Sequence, residues 1–235
     1  ASAAEVARFR ERLLPLAQAL GVESLPEPHP DDDGWDAKLA LLERDPVAVV
    51  SFTFGLPTPD AVARLNAVGT SVWASVASVP DAVAAARLGV DALVVQGAEA
   101  GGHRATLRCA DVPNELGTTD LVRAVHAVTR LPLVAAGGIM DAAGARASLD
   151  AGATAVQCGT AFLLTPEAGT AATHRAALAD PSFAETVVTR AFTGRPARAL
   201  ANAWTRQFAD APAAYPQVHQ LTRPLRAASG ARGDA

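Results

Sequence analysis

Apolar residues arrive in short runs along this chain, and each run is followed by a segment with helical spacing. "VAVVSFTF" (47–54) precedes "TPDAVARLNAVG", and "SVWASVA" (71–77) precedes "VPDAVAAARLGV". "ALVVQG" (92–97) leads through a glycine-rich loop to "TDLVRAVHAVTR", and "PLVAAG" (132–137) leads to "MDAAGARASLDAG". A last run, "AVQCGTAFL", precedes "GTAATHRAALAD". The runs are β-branched and do not alternate with polar residues, which is how strands buried on both faces read. Several helical segments stop at a glycine: Gly69, Gly89 and Gly152. Strand–helix alternation with short connections predicts a parallel sheet, either a barrel or a doubly wound sheet.

Two features favour the barrel. The turns after the fourth and fifth runs, "AAGGIMD" and "CGTAF", are both glycine-rich, and the last two strands of a barrel are where a phosphate is held. No G-x-G-x-x-G follows any run, which weakens a dinucleotide fold. Five runs cannot close an eight-stranded barrel. The expectation is therefore a (β/α)8 TIM barrel of which residues 1–185 supply strands 4–8, with the N-terminal βα units missing. Residues 186–235 break the repeat and are expected to form a helical and irregular extension packed on the barrel, with a mobile tail after Arg226.

The start of the chain fits the same expectation. Ser2 and Glu5 have the S-x-x-E spacing of a capping box. Val6, Phe9, Leu13, Leu14, Ala17 and Leu20 then form an apolar stripe at helical spacing. A chain that opens on a helix cap, with no initiator methionine, suggests that something upstream was cut away or left out. A polar loop, "PEPHPDDDGWD", and a short helix, "DAKLALLERD", lead into the first run.

Composition narrows the chemistry. The 235 residues are half apolar, carry a net charge of −4, and include three Trp and one Tyr. With no basic stripe, nucleic acid is not an expected partner. Cys109 and Cys158 supply neither a disulfide framework nor zinc spacing, so a reducing cytoplasm and no metal are expected. No apolar run reaches membrane-spanning length. Lys38 is the only lysine and follows an acidic stretch, which disfavours Schiff-base and phosphate-loop lysines.

The chemistry gathers at the ends of the runs. Gly137, Gly138, Gly159 and Thr160 could offer bare backbone N–H groups to a phosphate. In "QGAEAGGH", Gln96 ends a strand and can present an amide to a heterocycle edge; Gly101 and Gly102 leave a flat backbone wall, and His103 stands beside it. A flat cofactor needs such clearance, and an imidazole suits proton removal next to an electron-withdrawing group. Ser75 lies on the second run, facing either the barrel mouth or the packing. His126 and His174 fall in helices and read as solvated, as does His29 with Asp31, Asp32 and Asp33. Cys158 reads as buried and inert, and Cys109 stands near the site loop with no activating neighbour obvious in the sequence.

With these residues in view, "VVSFTFGLP", "ALVVQGAEAGGHRA", "LVAAGGIMDAAGARASLDAGATAVQCGTAFLLTPEA" and "HRAAL" resemble the nitronate monooxygenase family from about Val47 to Arg226. The resemblance implies an FMN-dependent (β/α)8 barrel. It makes His103 the catalytic base, puts Ser75, Gln96, Gly101 and Gly102 along the flavin ring, and gives the FMN phosphate to Gly137, Gly138, Gly159 and Thr160. It also carries Tyr215 and Arg223 over from the "YPQVHQLTRP" pattern. The implied reaction is oxidation of an alkyl nitronate by O₂ to a carbonyl compound and nitrite or nitrate, in a cytoplasmic monomer or homodimer. The chain departs from the family in lacking its first strands and in having Ala105 where glycine is common. A flavin-dependent NAD(P)H enoyl-thioester reductase shares the Gly-Gly-His motif and is the main alternative, followed by a non-catalytic truncated barrel. An inosine-phosphate dehydrogenase-like reading needs a cysteine after the phosphate strands, and none stands there.

Overall fold

The computed structural model describes residues 1–233. Two compact units form within it, one from residues 32–161 and one that joins residues 1–31 to the chain from Phe162 onward.

In the first unit, helix α2 (Trp35–Arg44) leads into strand β1 (Val49–Phe52), and then strands and helices alternate. In order these are α3 (Pro59–Ala67), β2 (Ser71–Val76), α4 (Val79–Arg87), β3 (Ala92–Gln96), a two-residue strand β4 (Gly102–His103), α5 (Thr118–His126), β5 (Leu133–Ala136), α6 (Ala142–Asp150) and β6 (Ala155–Gln157). Local sequence sets the helix starts. Thr58, Ser78 and Asp141 each accept a hydrogen bond from the N–H three residues on, which satisfies a donor that has no partner inside the helix.

The sheet is parallel, in the order β1-β2-β3-β5-β6. Each of the five expected runs carries one strand. The last is much shorter than its run: β6 stops at Gln157 and Thr160–Phe162 turns as a 3-10 helix. The apolar character continues past Gly159, but the backbone bends there.

Alternate strand residues separate two faces. Val72, Ala74, Val76, Leu93, Val95, Leu133 and Ala135 share one core with Ala61, Val62 and Leu65 of α3, Ala82 and Ala85 of α4, and Leu121, Val122 and Val125 of α5. These helices therefore cover one face. On the other, Val94, Val134 and Ala136 form a smaller cluster with Trp73. Strand β5 is buried throughout, whereas Val49, Ser51, Ala155 and Gln157 on the two edge strands are exposed.

The second unit holds α1 (Ala3–Leu20), α7 (Ala172–Ala179), strands β7 (Thr186–Thr189) and β8 (Ala197–Leu200), α8 (Ala203–Gln207) and α9 (Gln217–Ala231). Both halves of the expected capping box are present at Ser2 and Glu5. The α1 stripe buries Val6, Phe9, Leu13 and Ala17 against Phe208, Val218, Leu221 and Leu225, each large side chain contributing about 1.5–3 kcal/mol. Leu14 departs from the expected stripe and is exposed.

Two late features depart from the sequence reading. β7 and β8 pair as antiparallel strands where only helix and irregular chain was expected. The stretch after Arg226 is helical through Ala231, because Val218, Leu221 and Leu225 anchor α9 in the core. The final two residues lie outside the described ones. Among the described residues no helix is long and apolar enough to cross a membrane.

Candidate active site

Parallel strands bring their C-terminal ends to one edge of the sheet. Ser75, Gln96, His103, Gly137, Gly138, Gly159 and Thr160 all lie at or just beyond such ends, within the unit of residues 32–161. Ser75 pairs in register with Val94, and Gln96 with Ala136, so both belong to the face that the helices leave uncovered. Ser75 is buried, and its Oγ lies 2.9 Å from the hydroxyl of Thr53, just past β1.

The loop after β3 folds back onto its own strand. The Gln96 amide donates to the carbonyl of His103 at 3.1 Å and accepts from the N–H of Ala105 at 2.8 Å. One side chain thus holds the main chain on both sides of Arg104. Arg104 is itself almost fully buried and donates from Nη1 to the carbonyl of Gly97 at 2.6 Å. Gln96→Leu keeps the bulk but leaves these backbone groups unmatched, and is expected to destabilise the fold by about 1–3 kcal/mol in urea titration. A midpoint at the wild-type value would mean that water replaces the amide without loss.

Glu99 ties the loop to the next helix. Its carboxylate accepts from the N–H and hydroxyl of Thr118, at 2.9 and 3.0 Å, where α5 begins. The Thr118 hydroxyl also lies 2.8 Å from the carbonyl of Gly137. A carboxylate is well placed there against the helix dipole.

The candidate glycines divide into two kinds. A Cβ on Gly137 would stand 2.9 Å from the Cβ of Ala100, and one on Gly138 would stand 2.7 Å from the Cβ of Glu99. One on Gly101 would stand 2.6 Å from Oγ1 of Thr160. These three let the loops after β3, β5 and β6 close on one another. Gly102 and Gly159, in contrast, would have no atom within 4 Å of an added Cβ, so their backbone borders open space. The start of α6 offers less than its position suggests, since Asp141 already takes the N–H of Gly144.

His103 is half-buried, and its ring meets that of Phe54 at 5.3 Å between centroids with the planes at 77°. Phe54 has a backbone φ of +73°, a left-handed conformation that costs a bulky residue about 1–3 kcal/mol. Sequence reasoning passed over Phe54, Glu99, Arg104 and Thr118. Glu99 and Arg104 stood inside the stretch already singled out, as the acid and the cation flanking the glycine pair. Nothing in the sequence marks Phe54 as left-handed.

Other candidates belong to other stretches of the chain. Tyr215 and Arg223 are in the second unit, near His219, whose pKa burial and the Arg226 and Arg223 guanidiniums hold below the usual imidazole value. His29, His126 and His174 are exposed. Cys158 is half-buried against the core rather than fully enclosed.

Known proteins can be set against this geometry. The family model for nitronate monooxygenase matches residues 3–235. A nitronate monooxygenase of Pseudomonas aeruginosa is 45% identical over 201 residues, which are 83% of this chain and 56% of that protein. The nitroalkane oxidase of Streptomyces ansochromogenes superposes with a TM-score of 0.94 at 45% identity, covering 100% of this chain and 69% of that one. FabK from Thermotoga maritima superposes with a TM-score of 0.66 at 30% identity, over 87% of this chain and 63% of that one. The chain spans little more than half the length of the curated relatives it first matches. With the family model matched from residue 3 onward and the fold shared along the whole length, this chain belongs to the nitronate monooxygenase family.

Proposed function

We propose that this chain forms the flavin-binding and proton-abstracting part of an FMN-dependent enzyme that oxidises alkyl nitronates with O₂. The products are a carbonyl compound and nitrite or nitrate. The observation that carries the reading is His103, whose main chain Gln96 holds at the C-terminal edge of a parallel sheet, next to the open backbone of Gly102 and on the loop that meets Thr160 at Gly101. The barrel reading has separate support. Strand order runs β1-β2-β3-β5-β6 without reversal and α3, α4 and α5 cover one face, whereas a doubly wound sheet reverses its order and carries helices on both faces. These strands are assigned as 4–8 of a (β/α)8 barrel.

The residues fit a flat, phosphate-bearing cofactor. Ser75, Gln96, Gly101 and Gly102 would line its ring, and Gly137, Gly138, Gly159 and Thr160 would hold its phosphate. The packing of Gly137 and Gly138 on Ala100 and Glu99 shapes that cradle. Bound FMN supplies the electron acceptor and the route to O₂. The chain's own part is to hold the substrate's reacting carbon near His103. When the substrate is a neutral nitroalkane, an imidazole nitrogen takes the α-proton and the carbanion's charge moves onto the nitro oxygens. A nitronate arrives with that proton already gone. The protein is assigned to the cytoplasm, as a monomer or homodimer acting on a small molecule.

Visible absorption of the purified protein, before and after anaerobic addition of an alkyl nitronate, tests this. Flavin bands that change on addition are the expected result. Bands indifferent to nitronate but bleached by NADH would overturn it in favour of an enoyl-thioester reductase. Failure to take up added FMN would overturn the cofactor assignment and favour a non-catalytic barrel.

A further inference from the structure

Phe54 is a bulky residue in a conformation that favours glycine, with φ of +73°, and Gly55 follows it with φ of +145°. The β1–β2 pairing ends at Phe52 and Ala74, so both residues lie in the turn just past the strand. In an ordinary extended conformation the Cα–Cβ bond of Phe54 would leave the chain in another direction. The left-handed turn is what sends its ring to the imidazole of His103, 5.3 Å away and at 77° to it. The main chain at His103 is held separately, by the Gln96 amide. Strain retained where a side chain is aimed at a titratable group points to use rather than accident.

We propose that Phe54 is a positioning residue for His103: its strained backbone sets an aromatic wall against the imidazole and limits the rotamers open to it. Phe54 acts through His103 and takes no proton. A rotamer-free imidazole would meet the substrate's α-carbon in only a fraction of encounters, and proton transfer depends steeply on that alignment. The inference rests on His103 being the base, and its consequence is specific to substrates that need deprotonation.

The test combines NMR of the histidine ring protons with kinetics on both substrate forms. Among the five histidines, His103 is assigned by the signals lost in His103→Ala. In Phe54→Leu those signals are expected to move, because the aromatic ring current is gone. Turnover of a neutral nitroalkane should fall on the order of tenfold, while turnover of the nitronate stays within about twofold. Phe54→Tyr should restore both the shift and the rate. Phe54→Gly, free of the φ penalty, should unfold no earlier than Phe54→Leu and still lose nitroalkane turnover. In a His103→Ala background Phe54→Leu should add no further loss.

Unmoved His103 signals in Phe54→Leu would overturn the proposal, as would equal loss on both substrates or a full additional loss in the double variant. The two readings fail separately. If His103→Ala alone reduces both substrates equally, the base assignment is wrong, and the NMR shift still judges whether Phe54 packs on the imidazole.

Discussion

His103→Ala is expected to lower turnover of a neutral nitroalkane by about 10²–10⁴-fold, the usual contribution of a positioned general base. A preformed nitronate should lose far less, because its α-proton has already gone. The main chain of the loop has an anchor that does not involve the ring. Gln96 binds main-chain atoms at His103 and Ala105 rather than the imidazole, so the loop keeps its path when the ring is removed. Thermal unfolding should accordingly change little, which separates lost chemistry from lost structure. Steady-state rates on the two substrate forms decide the matter, and parallel loss on both would remove His103 from the role of base.

Gly97→Ala carries the largest expected effect on stability. An added Cβ would stand 2.1 Å from Oγ1, 2.3 Å from Cα and 2.4 Å from N of Thr118. Two of these are backbone atoms, so no rotamer change relieves the overlap. Neither side can retreat freely. Gly97 donates its N–H to the carbonyl of Ala136 at 3.0 Å, and its own carbonyl accepts from Arg104. Thr118 is held by Glu99 and reaches the carbonyl of Gly137. Shifting α5 would break that network, so the cost is expected at about 3 kcal/mol or more, at the upper end for overpacking. In a chain of this size that is about 6–12 °C in unfolding midpoint. Gly159→Ala is the control: its φ is not positive and its Cβ meets nothing, so its folding cost should stay within about 0.5 kcal/mol. A Gly97→Ala protein as stable as wild type would mean that the start of α5 does not rest on Gly97.

Local structure was legible where it depends on neighbours in sequence. Runs such as "SVWASVA" and "PLVAAG" coincide with β2 and β5 to within a residue or two. Ser2 and Glu5 form the capping box their spacing predicted. The fifth run was too long because apolar character alone does not show where a backbone turns, and β6 ends at Gln157. The β7–β8 pair went unseen because "TVVT" is short and its partner "ARAL" carries an arginine and no β-branched residue. Their pairing depends on a contact across a turn rather than on either segment's pattern.

The amino-acid order by itself determined the strand–helix alternation, the caps, and the placing of His103 after a glycine pair at the end of a buried strand. These follow from periodicity and from the conformational range of single residues. Tertiary structure alone decided how the candidate residues are used. It separated Gly137 and Gly138, which admit a neighbouring loop, from Gly102 and Gly159, which border open space. It turned the Gln96 amide onto the main chain beside His103 and brought the Phe54 ring against the imidazole. Each of these is set by how the strands register and the loops close, and for the glycines and Phe54 the partners are remote in sequence, so no local pattern encodes them.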